Sequence, residues 1–254
     1  MVAKERLDIL LAEKGLCASR EQAQRCILAG EVWQGQVRLE KPGLRVAVDA
    51  PIEVRSRLPK FVSRGGFKLE HALEVFQISV QERVCLDIGA STGGFTDCLL
   101  QRGAARVLAV DVGTGQIDSK LRTHAQVTSL EQCNVRHMTA DTLSAVDPRA
   151  GEISFVCADV SFISLKLLIE AIARSAPAAR DWVLLFKPQF EVGPEHVGRG
   201  GRVTNQQAIA RALEDFDTWM KHHGFFRPGP VLDSPVAGKK SGNLEILLHY
   251  VRPR

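Results

Sequence analysis

The sequence lacks several features that would assign a protein to a class at once. No apolar run among its 254 residues approaches the roughly 18 to 20 residues of a membrane span, and its charged N-terminus lacks the apolar core of a signal peptide. None of its six cysteines forms a CxxC pair, and its histidines have no partners at ligand spacing, so we expect buried thiols and no metal site. These absences predict a cytoplasmic protein with no membrane partner.

Positive charge is present but unevenly distributed. Residues 1–68 carry 13 Lys and Arg against 8 Asp and Glu, whereas the remaining 186 carry 20 against 21. A local positive field favours a polyanionic partner such as RNA, and a solvated basic surface is the alternative.

The N-terminal portion reads as a small α+β module. "ERLDILLAEKG" and "SREQAQRCILAG" predict two short helices, the second opened by a capping box of Ser19 and Gln22, and "EVWQGQVRL" predicts a hairpin about Gly35. We predict a module over residues 1–57, a linker over 58–62 around the charged "RSRLPKF", and a second domain over 63–254.

The second domain alternates apolar strands with helical segments, which predicts a doubly wound α/β sheet. The predicted strands are Val84–Ile88, Val107–Val112, Ile153–Val160, Trp182–Phe186 and Leu244–Val251. One amphipathic helix is expected within 204–224, with its apolar stripe facing the core.

The turn after the first predicted strand lacks the G-x-G-x-x-G pattern of dinucleotide-binding proteins, because Ser91 stands where the middle glycine would be. Asp87 precedes this turn and is better matched to an ammonium than to a phosphate, while Asp111 ends the next strand, where it could hold ribose hydroxyls. Both aspartates favour S-adenosylmethionine as the cofactor, with two capping aspartates as the alternative. The predicted cofactor-binding residues are Asp87, Gly89, Ser91, Gly93, Gly94, Phe95, Asp111 and Val112.

The N-terminal module resembles the RNA-binding module named after ribosomal protein S-four. The matching positions are Arg6-Leu7-Asp8, Ser19-Arg20, Ala23, Ile27, Gly30, Val32, Gly35, Val37 and Lys41-Pro42. The resemblance implies that basic residues of the two helices meet the RNA backbone, which in this chain would be Arg6, Lys14, Arg20 and Arg25.

Six ordered blocks of the second domain resemble those of the TlyA family, whose members join the S-four-type module to an FtsJ-like methyltransferase domain. The blocks are "SRGGFKLEHAL", "LDIGASTGGFTDCLL", "VDVGTGQI", "CADVSFISL", "LFKPQFEVG" and "SPVAGKKSGNLEILLH". The resemblance implies 2'-O-methylation of cytidine in ribosomal RNA within ribosomal subunits, in 23S RNA or in both 23S and 16S RNA, with S-adenosylmethionine as the cofactor. It also implies a catalytic Lys-Asp-Lys-Glu set, which here would be Lys68, Asp159, Lys187 and Glu245.

Methyl transfer to a ribose hydroxyl requires residues of these types. A ribose hydroxyl needs a base, or a cation that favours the alkoxide, and alignment with the methyl group that it attacks. Lys187 follows a buried apolar strand and precedes Pro188, so it is placed at the sheet edge where α/β enzymes bind their ligands. The alternative is a buried ion-pair network that only closes the sheet.

Other interpretations follow from the same sequence. A membrane-active haemolysin, the label often given to this family, would need an insertion segment that the sequence does not contain. A catalytically silent RNA-binding assembly factor would not need all four residues of the Lys-Asp-Lys-Glu set. The glycine-rich residues 190–203 are either a lid or an ordinary surface loop, and "GKKS" at 238–241 lacks the spacing of a phosphate loop.

Overall fold

The computed structural model describes residues 3–17, 19–54, 60–236 and 243–253. The chain divides into two compact units, Met1–Pro59 and Lys60–Arg254. Part of the predicted linker and residues 237–242, which include all of "GKKS", lie outside the described residues. The linker over 58–62 therefore stays a prediction.

The described part of the first unit contains two short helices and five short strands. Its core is formed by the apolar faces of both helices, which pack Leu7, Leu10 and Leu11 against Ala23 and Ile27. The strands form a two-stranded sheet of order β1-β4 and a three-stranded sheet of order β3-β2-β5, which contains the predicted hairpin. The elements are β1 Lys4–Arg6, α1 Leu7–Glu13, α2 Arg20–Leu28, β2 Val32–Gln34, β3 Val37–Arg38, β4 Arg45–Ala47 and β5 Ile52–Val54.

The first helix begins later than the sequence pattern predicts. Residues 4–6 pair antiparallel with Arg45–Ala47, so Glu5 and Arg6 belong to a strand and not to the helix. The first amides of α1 are satisfied by the turn that leads into β4, because Leu7 N donates to Leu44 O at 2.8 Å and Asp8 N to Pro42 O at 3.1 Å. These tertiary partners fix the helix start, and a local pattern cannot reveal them.

The second unit is a seven-stranded sheet with helices. Its strand order is β11-β12-β10-β9-β6-β7-β8, and all neighbouring pairs are parallel except those made by β12. The strands are β6 Val84–Ile88, β7 Arg106–Val110, β8 Val127–Leu130, β9 Ile153–Ala158, β10 Asp181–Phe186, β11 Leu232–Asp233 and β12 Ile246–Val251. The helices are α3 Gly65–Val75, α4 Gly94–Gln101, α5 Ser119–Arg122, α6 Ala140–Ser144, α7 Lys166–Ser175, α8 Pro188–Glu191 and α9 Gln206–His222.

This topology places the ligand-binding edge of the sheet. From β6 the chain builds outward through β7 and β8, and then crosses to β9 on the other side of β6. A doubly wound sheet binds its ligands at the carboxyl ends of the strands where this reversal occurs. The glycine turn follows β6 and Asp159 follows β9, so both lie at that point.

The sheet confirms the predicted fold class, and each of the five predicted strands is present with ends shifted by up to two residues. Strand β8 was not predicted; it is an edge strand in which Val127 and Leu130 flank two hydroxyl residues. The two-residue strand β11 was not predicted either. Among the described residues, no helix is long and apolar enough to cross a bilayer.

Candidate active site

A close backbone approach explains the first glycine of the turn after β6. Gly89 has a φ of +79°, and a Cβ at this position would lie 2.5 Å from the carbonyl oxygen of Asp159. A residue with a side chain would therefore push the ends of β6 and β9 apart. This contact holds the turn directly beside Asp159.

A second close approach joins helices α3 and α4. A Cβ on Gly94, the first residue of α4, would lie 2.2 Å from Ser63 Oγ and 3.2 Å from the Cα of Gly65. The absence of a side chain at Gly65 and Gly94 thus lets the N-terminal ends of the two helices meet. The second turn of α3 then carries Lys68 to the carboxyl edge of the sheet.

The four predicted catalytic residues are brought together as a chain of ion pairs. Lys68 Nζ lies 2.5 Å from Glu245 Oε2 and 3.6 Å from Asp159 Oδ2. Lys187 Nζ lies 2.5 Å from Asp159 Oδ1 and donates a hydrogen bond to Ser161 Oγ at 2.9 Å. We call Lys68, Asp159, Lys187 and Glu245 the tetrad.

The tetrad faces a cavity of about 290 Å³. Lys187 is only 7% exposed, and both of its polar partners come from the segment that follows β9. Gly94 and Phe95 also line this cavity, which we call the tetrad cavity. The tetrad has two lysines and two carboxylates, so its net charge is zero. A bound hydroxyl can therefore contact the Lys187 ammonium although the cavity as a whole is not positively charged.

A second cavity of about 490 Å³ adjoins the first. Four of the predicted cofactor residues line it, namely Gly89, Ser91, Asp111 and Val112. We call it the β7 cavity, because it opens beside the end of that strand. The two cavities share Gly89, Ser91, Asp159 and Ser161 in their walls.

Asp111 is a carboxylate in the wall of the β7 cavity that does not belong to the tetrad. Its Oδ2 accepts from the backbone N–H of Ser91 at 2.8 Å, and its Oδ1 accepts from that of Gly113 at 2.7 Å. Each oxygen retains a lone pair that can accept from a ribose hydroxyl. Asp111 therefore both fixes the glycine turn and offers acceptors to a bound nucleoside.

We expect Asp111→Ala to weaken binding of S-adenosylmethionine by about tenfold or more, because charge-assisted hydrogen bonds are lost. Titration calorimetry measures this, with NAD as a ligand that should bind neither protein. RNA affinity, measured in parallel, should not change. An unchanged cofactor affinity would remove Asp111 from the cofactor site.

Asp87 lies apart from the predicted cofactor residues that line the cavities. Its carboxylate is fully buried, accepts from Thr96 Oγ1 at 2.6 Å, and lines neither cavity. Burial raises the pKa of Asp87 to about 7, with nearby Asp159 adding to the effect. Asp87 thus links the end of β6 to α4 through Thr96, and its contact with the cofactor stays a prediction. Gly93, which caps α4 with a φ of +95°, lines neither cavity either.

The raised pKa of Asp87 predicts a specific pH dependence. Between about pH 4 and pH 7 the folded protein keeps a proton that the unfolded chain has lost, so stability falls as the pH rises through this window. Asp87→Asn removes this loss, which amounts to at most about 4 kcal/mol for three pKa units. We expect Asp87→Asn to gain thermal stability relative to the wild type from pH 5 to pH 8. The exposed Asp141→Asn serves as the control, and equal pH profiles for Asp87→Asn and wild type would contradict the assignment.

Several residues that line the β7 cavity were not predicted from the sequence, among them Asn134 and Phe162. Asn134 lies in the segment after β8. Because β8 was not predicted, the segment at its carboxyl end was not predicted as part of the site either. Phe162 is 91% exposed and has a φ of +67°, which is a strained conformation for an aromatic residue. Its ring lies 5.5 Å from that of Phe190, in the helix that follows Lys187. The sequence signal that could have indicated Phe162 is "DVSFIS", in which a phenylalanine directly follows Asp159, Val160 and Ser161.

The glycine-rich segment 190–203 is held at both ends. At the first end, Glu191 accepts from Ser164 Oγ at 2.7 Å and from Leu165 N at 2.8 Å, and burial raises the pKa of Glu191. At the second end, Asn243 donates to Gly201 O at 2.7 Å and accepts from Val203 N at 3.1 Å. These anchors favour a fixed surface loop over a lid.

The first unit holds the four predicted RNA-binding residues in different environments. Arg6 and Arg20 both hydrogen-bond to the buried carboxylate of Asp8, and Lys14 Nζ donates to Ala50 O at 3.1 Å. Arg25 is exposed on α2.

Within the described ranges, no group of three His, Cys, Asp or Glu residues could hold a metal ion.

Comparison with known proteins defines the class. The model of the FtsJ-like methyltransferase family matches residues 61–249, and that of the S4 domain matches residues 5–52. The chain therefore belongs to the FtsJ-like methyltransferases and carries an S4 domain at its N-terminal end.

Individual relatives and a solved structure indicate the family within this class. The 16S/23S rRNA (cytidine-2'-O)-methyltransferase TlyA of Mycobacterium tuberculosis is 41% identical over 98% of this chain and 90% of its own length. The 23S rRNA (cytidine-2'-O)-methyltransferase TlyA of Campylobacter jejuni is 34% identical over 76% of this chain and 71% of its own length. A solved structure of a protein from Streptococcus thermophilus that bears the name hemolysin has a TM-score of 0.71 and 40% identity, covering 99% of this chain and 90% of that one. The chain is a member of the TlyA family.

Proposed function

We propose that this protein transfers a methyl group from S-adenosylmethionine to the 2'-hydroxyl of a cytidine in ribosomal RNA, with 23S RNA as a substrate. The observation that carries the proposal is the shared wall of the two cavities. A nucleoside cofactor in the β7 cavity and a ribose in the tetrad cavity would meet at Asp159 and Ser161. Methyl transfer needs such a meeting, because donor and acceptor must be aligned at close contact.

The residues of the β7 cavity fit the proposed cofactor. Asp111 would accept from ribose hydroxyls, the apolar Val112, Val135 and Ile163 would contact a base, and the glycine turn leaves room for the methionine portion. When bound, S-adenosylmethionine supplies an electrophilic methyl group on a sulfonium. The protein's own task is to orient the acceptor hydroxyl and to manage its proton.

The tetrad suits that task. Lys187 is held by Asp159 and Ser161 on one side, so its ammonium or amine has a fixed direction toward the cavity. In this position it either takes the proton of the 2'-hydroxyl or stabilises the alkoxide as the proton leaves. Lys68 pairs with Glu245 and approaches Asp159 at Oδ2, which leaves Oδ1 of Asp159 to Lys187.

The N-terminal unit would supply most of the affinity for RNA. Arg6, Arg20 and Arg25 are arginines of the S4 domain whose guanidinium groups can bind phosphate oxygens. Phosphate contacts fix position and not sequence, so the choice of nucleotide belongs to the methyltransferase domain and to the shape of the RNA.

Radiolabelled methyl transfer tests the proposal. Purified full-length protein should label 23S RNA or 50S subunits, and nuclease digestion should release the label as 2'-O-methylcytidine. Incubation with 16S RNA tests whether both RNAs are substrates, since the printed names of the two TlyA relatives differ on this point. Tight RNA binding without transfer would favour the assembly factor, and leakage of liposomes by the purified protein would favour the haemolysin.

A further inference from the structure

The N-terminal unit contains a buried carboxylate that does not belong to the proposed chemistry. Asp8, the second residue of α1, is fully buried. Its oxygens accept four side-chain hydrogen bonds. Arg6 donates from Nε to Oδ1 at 3.0 Å and from Nη2 to Oδ2 at 3.1 Å. Arg20 Nε and Gln24 Nε2 donate to the same Oδ2 at 2.9 Å and 2.8 Å.

These four contacts keep Asp8 ionised. The hydrogen bond from Arg6 contributes most, and those from Gln24 and Arg20 add to it, so the pKa of Asp8 lies well below its usual range despite the opposing effect of burial. A carboxylate in this state is a fixed negative charge at neutral pH. It links strand β1, helix α1 and helix α2 through charged groups.

The shared oxygen also fixes the spacing of the two guanidinium groups. Because Arg6 Nη2 and Arg20 Nε lie 3.1 Å and 2.9 Å from the same Oδ2, they are at most about 6 Å apart. The side chains of Arg6 and Arg20 remain 40% and 53% exposed. Arg20 uses only its Nε edge for Asp8, which leaves both of its terminal amino groups to face a ligand.

We propose that Asp8 is a positioning residue that holds Arg6 and Arg20 as a preorganised pair for the phosphates of one RNA strand. This inference rests on the proposed RNA-binding function. An arginine that is already ordered before binding loses less conformational entropy when it meets a phosphate. The planar fork of each guanidinium is useful only if its orientation is held, which a flexible surface arginine cannot ensure.

The direction in which Asp8→Asn changes RNA affinity distinguishes a positioning role of Asp8 from a role as a counter-charge. Asp8 reduces the net charge of the trio from +2 to +1, so its neutralisation adds positive charge next to the RNA. On charge alone, Asp8→Asn should bind RNA more tightly. A positioning role predicts the opposite, because both arginines lose their anchor.

The test compares full-length Asp8→Asn with Glu21→Gln, which makes the same charge change at an exposed position of α2. We expect Asp8→Asn to weaken binding of 23S RNA by about tenfold, the scale of two side chains that must be reordered. Its salt slope should stay level or fall, whereas Glu21→Gln should bind as the wild type or slightly tighter. Asp8→Asn that binds at least as tightly as the wild type would overturn the proposal.

A second variant guards against unfolding of the module, which thermal melting would detect. Arg20→Lys keeps the charge but cannot reproduce the Nε contact with Asp8 while pointing a fork outward. The proposal predicts that Arg20→Lys loses as much RNA affinity as Arg20→Ala, and near wild-type affinity of Arg20→Lys would contradict it. If the wild type itself binds no ribosomal RNA, the proposed function fails and not only the role of Asp8.

Discussion

Lys187→Ala should lower single-turnover methylation by about a hundredfold or more, the scale usual for the loss of a general base. The reason is local, since Lys187 Nζ is the buried cation that Asp159 and Ser161 aim into the tetrad cavity. Lys187→Arg should fail to a similar extent. A guanidinium cannot become a neutral base, and its broad fork would not fit where one compact ammonium is held at 2.5 Å from Asp159.

Affinity must be measured alongside the rate. Binding of S-adenosylmethionine and of RNA should stay near the wild-type values, because Lys187 does not line the β7 cavity. Lys221→Ala and Lys221→Arg, at an exposed position near the end of α9, are the matched controls and should methylate normally. If Lys187→Ala lost less than about fivefold in rate, Lys187 would be a structural lysine of an ion-pair network.

Deleting residues 1–57 should leave a methyltransferase unit that still binds S-adenosylmethionine but has lost most of its affinity for ribosomal RNA. The two compact units and the separate match of the S4 domain support this expectation. If Arg6, Arg20 and Arg25 each neutralise one phosphate, the salt slope of RNA binding should fall by about two to three units.

The full-length variant with Arg6, Arg20 and Arg25 all changed to Gln is the control for the deletion. It should reproduce the fall in salt slope while the S4 domain remains in place. Fluorescence anisotropy with 23S RNA fragments over a range of salt concentrations provides both quantities. Equal affinity and equal slope in the truncated protein would exclude the N-terminal unit as the docking element.

The sequence predicted the sheet well because buried parallel strands are continuous apolar runs. Trp182–Phe186 is such a run, and the strand Asp181–Phe186 contains it entirely. Edge strand β8 carries Thr128 and Ser129 between its apolar ends, so it lacked that signal. The start of α1 depended on backbone contacts with residues 42–44, which no local pattern contains.

The tetrad was available from the sequence only through the family resemblance. Its four members lie on α3, after β9, after β10 and before β12, and only the folded sheet brings them within ion-pair distance. The direction in which the Asp87 side chain points could not be predicted from the sequence either. A carboxylate just ahead of a glycine turn can point outward to a ligand or inward to the helix that follows, and here it meets Thr96.

A map of 2'-O-methylated nucleotides in ribosomal RNA, from cells with and without this protein, is the decisive test of cytidine methylation by this protein. Reverse-transcription stops at low nucleotide concentration and mass spectrometry of the fragments would locate each site. We expect that at least one 2'-O-methylcytidine in 23S RNA is absent from cells that lack the protein. It should return when the wild-type gene is restored, and it should not return with the Lys187→Ala variant. An identical set of methylated nucleotides in both cell lines would contradict this expectation.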